Sequence, residues 1–251
     1  MLKKATCIVF LIFGLASQLS AARFQGLGDL PGGAYASGAN GISADGTKII
    51  GGSNSVSGIE SFLWTADKGM VSLSTISGIH FNSNSYGISG DGTTIAGVII
   101  KNSGHESFRW QKATGWTGLG YLSEYGNFLD SSTSYAVSHD GQTIVGQSAS
   151  SKGFEAFRWT EESGMEGLGD LNNSLYNSSA NAISADGSVV AGIADSGQSW
   201  EAFRWNEVDG MVGLGGLSDV DLFSEANGVS SDGSTIVGVS NSVNGQEAFR
   251  W

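Results

Sequence analysis

The chain has 251 residues, 39 of them glycine and one proline, and its 12 lysines and arginines face 24 acidic residues for a net charge of -12. With 40% hydrophobic and 10% aromatic residues it is too apolar to be disordered. No Lys/Arg cluster beyond position 4 offers a footprint for nucleic acid or for an anionic bilayer, and glycine without proline or a three-residue period is neither collagen nor a linker composition.

Residues 1–22 read as a secretory signal peptide: Lys3 and Lys4, an apolar run over 5–15, then Ser20 and Ala22 at the small-residue cleavage positions. The apolar run is too short for the ~20 residues of a membrane span, so no transmembrane segment is expected in the mature chain. Cleavage before Arg23 removes the only cysteine, Cys7, and leaves a disulfide-free chain stabilised by its core. Such a chain is expected outside the cytoplasm, secreted, on the cell surface or in the periplasm. Residues 23–251 are read as a single repeat domain.

Three markers recur along it. Asp-Gly pairs begin at Asp45, Asp91, Asp140, Asp186 and Asp232, in steps of 46, 49, 46 and 46. Trp64, Trp110, Trp159, Trp205 and Trp251 close Phe-x-Trp triplets at the same steps. Leu27, Leu119, Leu168 and Leu214 sit in Gly-Leu-Gly-x-Leu, and Leu73 in Ser-Leu-Ser-Thr-Ile. Each period holds four short apolar runs, a to d, the first two joined by the Asp-Gly turn. Strands of four to six residues are expected, too short for an outer-membrane barrel, and no sustained helical period follows the signal. Four-stranded units at this spacing predict an all-β, five-bladed β-propeller, with a β-solenoid or an open repeat array as the alternative stacking. A lone strand d over residues 26–30 would supply the strand that the last unit lacks and close the ring.

The segments Glu-Ala-Phe-Arg-Trp at 155–159, 201–205 and 247–251, with close variants at 60–64 and 106–110, resemble the HAF repeat of bacterial extracellular proteins, as do the flanking Ser-x-Asp-Gly and Gly-Leu-Gly-x-Leu motifs. The family is named for its repeat, not for an activity. Its His is replaced here by Glu60, Glu106, Glu155, Glu201 and Glu247, and the autotransporter barrel that members often carry does not follow within this sequence. The Ser-x-Asp-Gly hairpin is also similar to the blades of TolB-like propellers.

Residues repeated five times are expected to be structural, with Phe62, Phe108, Phe157, Phe203 and Phe249 filling the space between blades and Arg109, Arg158, Arg204 and Arg250 on the opposite strand face. The repeated Glu reads either as a cation-binding ring or, more simply, as a partner for a neighbouring blade or a turn amide. Variable loop positions are the functional candidates. Tyr35, Phe81, Phe128, Tyr176 and Phe223 lie between strands d and a; His105, Phe154 and Trp200, with Ile59 and Gln246, precede the repeated Glu. Aromatics beside Asn82, Asn127 and Asn177 suit sugar stacking, or else they tuck under their own loops. No metal, cofactor or catalytic residue is expected: His80, His105 and His139 form no ligand spacing, and Asp219, Asp221 and Glu225 lack the EF-hand pattern. Strands a carry no acid for a glycosidase pair. The sequence therefore reads as a non-enzymatic binding or adhesion module for carbohydrate or another surface protein, against a structural spacer or, less favoured, a glycosidase-like enzyme.

Overall fold

A computed structural model describes residues 24–74, 82–101, 104–122, 130–172, 176–218 and 222–251; the signal segment lies outside them. The described chain is all-β, with antiparallel units in the order a-b-c-d. The first unit is β1 (Ser37–Ile42), β2 (Lys48–Ser55), β3 (Gly58–Thr65) and β4 (Gly69–Ser72). The second is β5 (Asn82–Ile88), β6 (Thr94–Lys101), β7 (Gly104–Gln111) and β8 (Gly115–Gly120). Next come β9 (Ser132–Val137), β10 (Ile144–Ser150), β11 (Gly153–Thr160) and β12 (Gly164–Gly167), then β13 (Tyr176–Ile183), β14 (Val190–Asp195), β15 (Trp200–Asn206) and β16 (Gly210–Gly213). A three-stranded unit follows: β17 (Ser224–Val229), β18 (Ile236–Ser242) and β19 (Gly245–Arg250).

Several strands reach eight residues rather than the expected four to six. Strand a starts early because its N-terminal half already pairs with strand b, as at Ser178↔Ala194, before the apolar run begins. A bulge in strand a recurs in the units, for example between Ala180 and Ala182 and between Ser85 and Gly87. There strand b must be glycine: a Cβ on Gly192 would stand 1.9 Å from the Ser179 carbonyl oxygen, and one on Gly97 2.1 Å from that of Asn84.

The Asp-Gly turn has a hydrogen-bond hub. Asp186 Oδ1 accepts from Ser184 Oγ (2.7 Å), Ser188 N (3.0 Å) and Ser188 Oγ (2.8 Å), while Gly187, at φ 74°, donates its N–H to the Ser184 carbonyl. These bonds favour the charged carboxylate. The Ser184 hydroxyl leads the lowering of the Asp186 pKa to about 2, and Ser43 and Ser230 do the same for Asp45 and Asp232, also to about 2.

Successive units meet through one junction used four times. Backbone bonds run from turn to turn, Ala44 N to Gly90 O, Gly90 N to His139 O, His139 N to Ala185 O and Ala185 N to Ser231 O, each 2.9–3.0 Å. A buried serine of strand a staples the preceding unit. Ser178 Oγ accepts from Ala156 N (2.9 Å) and donates to Gly169 O (2.6 Å); Ser224 repeats this with Ala202 and Gly215. Phe157 packs backward with Ala96, Leu119 and Ile144, and Phe203 with Val145, Ala156 and Leu168, both phenylalanines being fully buried. Each such ring contributes ~1.5–3 kcal/mol through area removed from water.

The expected lone strand over residues 26–30 does not form. Those residues hold no strand and do not pair with β19, and among the described residues no sheet closes. They are nevertheless seated on the first unit as a strand d is seated on the next: Leu30 N donates to Ser53 Oγ (3.0 Å) and Ser37 Oγ to Gly28 O (2.8 Å), matching Leu217 with Ser240 and Ser224 with Gly215. Faces buried elsewhere are open at the two ends. Val237 is 47% and Trp251 49% exposed, while their counterparts Val145 and Trp159 are 0% and 7%.

Candidate functional site: the loop rim

In an a-b-c-d unit the b–c turns and the d–a connections leave the sheet at the same end, so they share one rim. The structure brings candidates together there most fully between the third and fourth units. Strand β11 runs parallel to β13, pairing Gly153 with Tyr176 and Phe154 with Asn177. Tyr176 N donates to Lys152 O (3.0 Å), Lys152 Nζ donates to Tyr176 Oη (2.9 Å), and the ammonium lies 4.4 Å from the Tyr176 ring centroid. The Tyr176 hydroxyl holds that ammonium above its usual pKa. Phe154, 46% exposed, is the next residue along β11 and is paired with Asn177. Asp170 anchors the approach, its carboxylate accepting from Leu171 N (2.9 Å) and Asn177 N (2.8 Å), although burial raises its pKa.

The other candidates are dispersed. Tyr35 is 84% exposed on the approach to β1, and Trp200, 38% exposed, opens β15 opposite Asp195. His105 is exposed and bridges in parallel to Ser131. Phe223 is half-buried, its carbonyl accepting from Asn241 N (2.9 Å) and Ser240 Oγ (3.1 Å). Phe81 and Phe128 lie outside the described residues, as do His80, Asn127, Asp219 and Asp221. Tyr176, expected in a loop, instead begins a strand; His105, Phe154 and Trp200 also belong to strands, so their backbones are held by ladders.

Sequence reading missed Lys152 and a polar set on the first two units. Asn40 Nδ2 donates to Asn84 Oδ1 (3.1 Å) and Ser85 O (2.9 Å), and Asn40, Asn84, Asn54 and Ile59 border a cavity of about 280 Å³. The available signal for Lys152 was a lone cation beside an aromatic in a b–c turn.

The repeated Glu is a latch. Glu155 Oε1 accepts from Gly169 N (2.9 Å) and Glu201 Oε1 from Gly215 N (2.8 Å), tying strand c to the outgoing strand d. Glu106 pairs with Lys101, and Glu247 accepts from Ser242 Oγ (2.5 Å). Among the described residues no group of three or more His, Cys, Asp or Glu side chains could hold a metal ion. The expectation that strands a lack acid needs correction: β17 begins earlier than its apolar run and includes Glu225, whose Oε1 accepts from Asn181 Nδ2 (3.2 Å).

No protein-family model and no curated protein matches the sequence. Among solved structures, TolB from Acinetobacter baumannii superposes with a TM-score of 0.57 at 16% identity, covering 83% of this chain and 50% of that one. The chain is similar in fold to TolB. A putative TolB from Agrobacterium tumefaciens gives 0.51 at 14% identity, with 83% and 70% covered. An oligogalacturonate lyase in complex with manganese gives 0.55 at 14%, with 83% and 60% covered. The likeness is to the β-propeller fold alone, and this chain spans about half the length of the Acinetobacter TolB. Among the described residues no helix is long and apolar enough to cross a membrane.

Proposed function

We propose that the protein is an extracytoplasmic, non-enzymatic binding module that takes carbohydrate on its loop rim. The observation that carries this reading is an exposed aromatic, Phe154, on the same stretch of rim as the Lys152–Tyr176 pair, where β11 and β13 run side by side. Sugars are bound by stacking their C–H faces on such rings while polar neighbours take the hydroxyls. The Asn-lined cavity on the first two units offers a second polar surface. Glycan-array binding of the chain from Arg23 onward tests the reading. Binding that falls about tenfold or more on Phe154→Ala, with melting unchanged, supports the rim; no binding to any glycan removes the carbohydrate reading.

The architecture that goes with it is a five-bladed ring closed by residues 24–28. The junction repeated elsewhere supplies the register. Because Phe203 pairs with Gly213 and Arg204 with Val212, Phe249 would pair with Gly26 and Arg250 with Gln25, and Ala248 N would donate to Ser37 Oγ. Gly28 already holds φ 88°, beside 76° at Gly215 and 83° at Gly169. The repeat motifs favour kinship with the HAF-repeat proteins of bacterial surfaces, in keeping with secretion by the N-terminal segment.

A further inference from the structure

At two junctions the Arg of Phe-Arg-Trp reaches the c–d turn of the next unit. Arg109 Nη1 contacts Glu161 Oε2 (2.9 Å) and lies 5.0 Å from the Trp159 ring centroid, and Arg158 Nη2 stands 3.5 Å from Glu207 Oε1. The first junction breaks this pattern on both sides. Leu63 occupies the Arg position and Lys112 the Glu position, so the plug is absent and the charge of its partner is reversed.

The space so vacated is a cavity of about 690 Å³, within the size range of small-molecule sites. Leu63, Val71 and Trp110 form its apolar wall, and Lys48, Lys68 and Lys112 border it with Asp67 as the single acid. Lys48 Nζ is tied to the carbonyl oxygens of Asp91 (2.8 Å) and Gly92 (3.1 Å), whereas Lys68 and Lys112 are exposed. The Asp67 carboxyl is held below its usual range by the Thr65 hydroxyl and lies near Lys68. Trp110 is 2% exposed, and its indole Nε1–H has no acceptor among the described residues. Three lysines thus border an apolar wall, with Asp45 and Asp91 near Lys48 and Asp67 near Lys68.

We propose that this groove between the first and second units is a binding site for a small organic anion with an aromatic or alkyl body. It lies at the end of the sheets opposite the loop rim, bordered by a–b and c–d turns, and is independent of the carbohydrate proposal. The apolar body packs on Leu63 and Trp110, and the anionic group meets the lysine ammonium groups.

Titration calorimetry with naphthoate, and with the neutral naphthalenemethanol as control, tests the site in the chain from Arg23 onward. Naphthoate is expected to bind, with the neutral analogue about tenfold weaker or more. The paired change Leu63→Arg with Lys112→Glu rebuilds the Arg–Glu contact of the second and third junctions and is expected to abolish binding while the chain stays folded; Phe154→Ala is expected to leave it unchanged. Absent binding, equal affinity for both probes, or affinity retained in the paired variant overturns the proposal. Should that variant fail to fold, Lys68→Ala with Lys112→Ala serves instead, and undiminished naphthoate affinity there overturns it equally.

Discussion

Glu155 and Glu201 do the same job in successive units, so the contribution can be tested at one of them. Glu155 is 9% exposed and accepts the Gly169 amide, a hydrogen bond to a charged acceptor. Glu155→Ala is expected to cost about 1.5–3 kcal/mol, read as a lower urea midpoint with unchanged slope; an unmoved midpoint would show that the latch contributes nothing. The turn aspartates act through pH. Asp45, Asp186 and Asp232 titrate at about 2 when folded against an ordinary value of 3.8, so the unfolded chain binds more protons between these values. Their stabilisation is complete above about pH 4 and is lost as pH falls toward about 2. Melting temperature should therefore drop across that window, and less so in Asp186→Asn; equal drops in both would deny the turns a role. The repeated Phe, Trp and Asp-Gly positions were legible because five copies impose one environment. The junction serines were not: a buried Ser178 looks in sequence like any polar strand residue, and only its two bonds across the junction reveal it.

At the scale of the element, glycine decides strand geometry. A Cβ on Gly192 would meet the Ser179 carbonyl at 1.9 Å and a Phe203 ring carbon at 3.0 Å, the first of them rigid backbone. Gly192→Ala is expected to destabilise by roughly 3 kcal/mol or more through strand separation and displaced core packing, checked by denaturant unfolding, whereas Gly164→Ala, at the start of β12 with open space around the site, strains only the backbone. A smaller effect at Gly192 than at Gly164 would refute the close-approach argument. Strand order was readable from apolar runs, but strand length was not, since Tyr176 and Asn177 pair through backbone groups that leave no hydrophobic signature. That omission put Tyr176 in a loop and Glu225 outside strand a. Lys152 beside Tyr176 was equally hidden, because a parallel contact between β11 and β13 arises from the junction and from no local pattern.

For the whole molecule, the proposed ring gathers the rim loops of every unit around one face, and only closure brings Tyr35 of the first unit near Phe223 of the last. The open terminal faces, with Ile42 58% and Trp251 49% exposed, match the faces that the four formed junctions bury. Residues 24–30 already rest on the first unit in strand d fashion, which composition alone could not convey, because an unpaired strand d reads the same whether or not its partner arrives. The direct test is a cysteine pair, Gln25→Cys with Arg250→Cys, in the chain from Arg23 onward, which has no other thiol. Opposed antiparallel residues have Cα atoms about 4.5–5.5 Å apart, within disulfide reach. Closure predicts that mild oxidation yields a monomer with no free thiol and an intramolecular bridge between the two peptides; persistent free thiols, or bridges found only between chains, would contradict it.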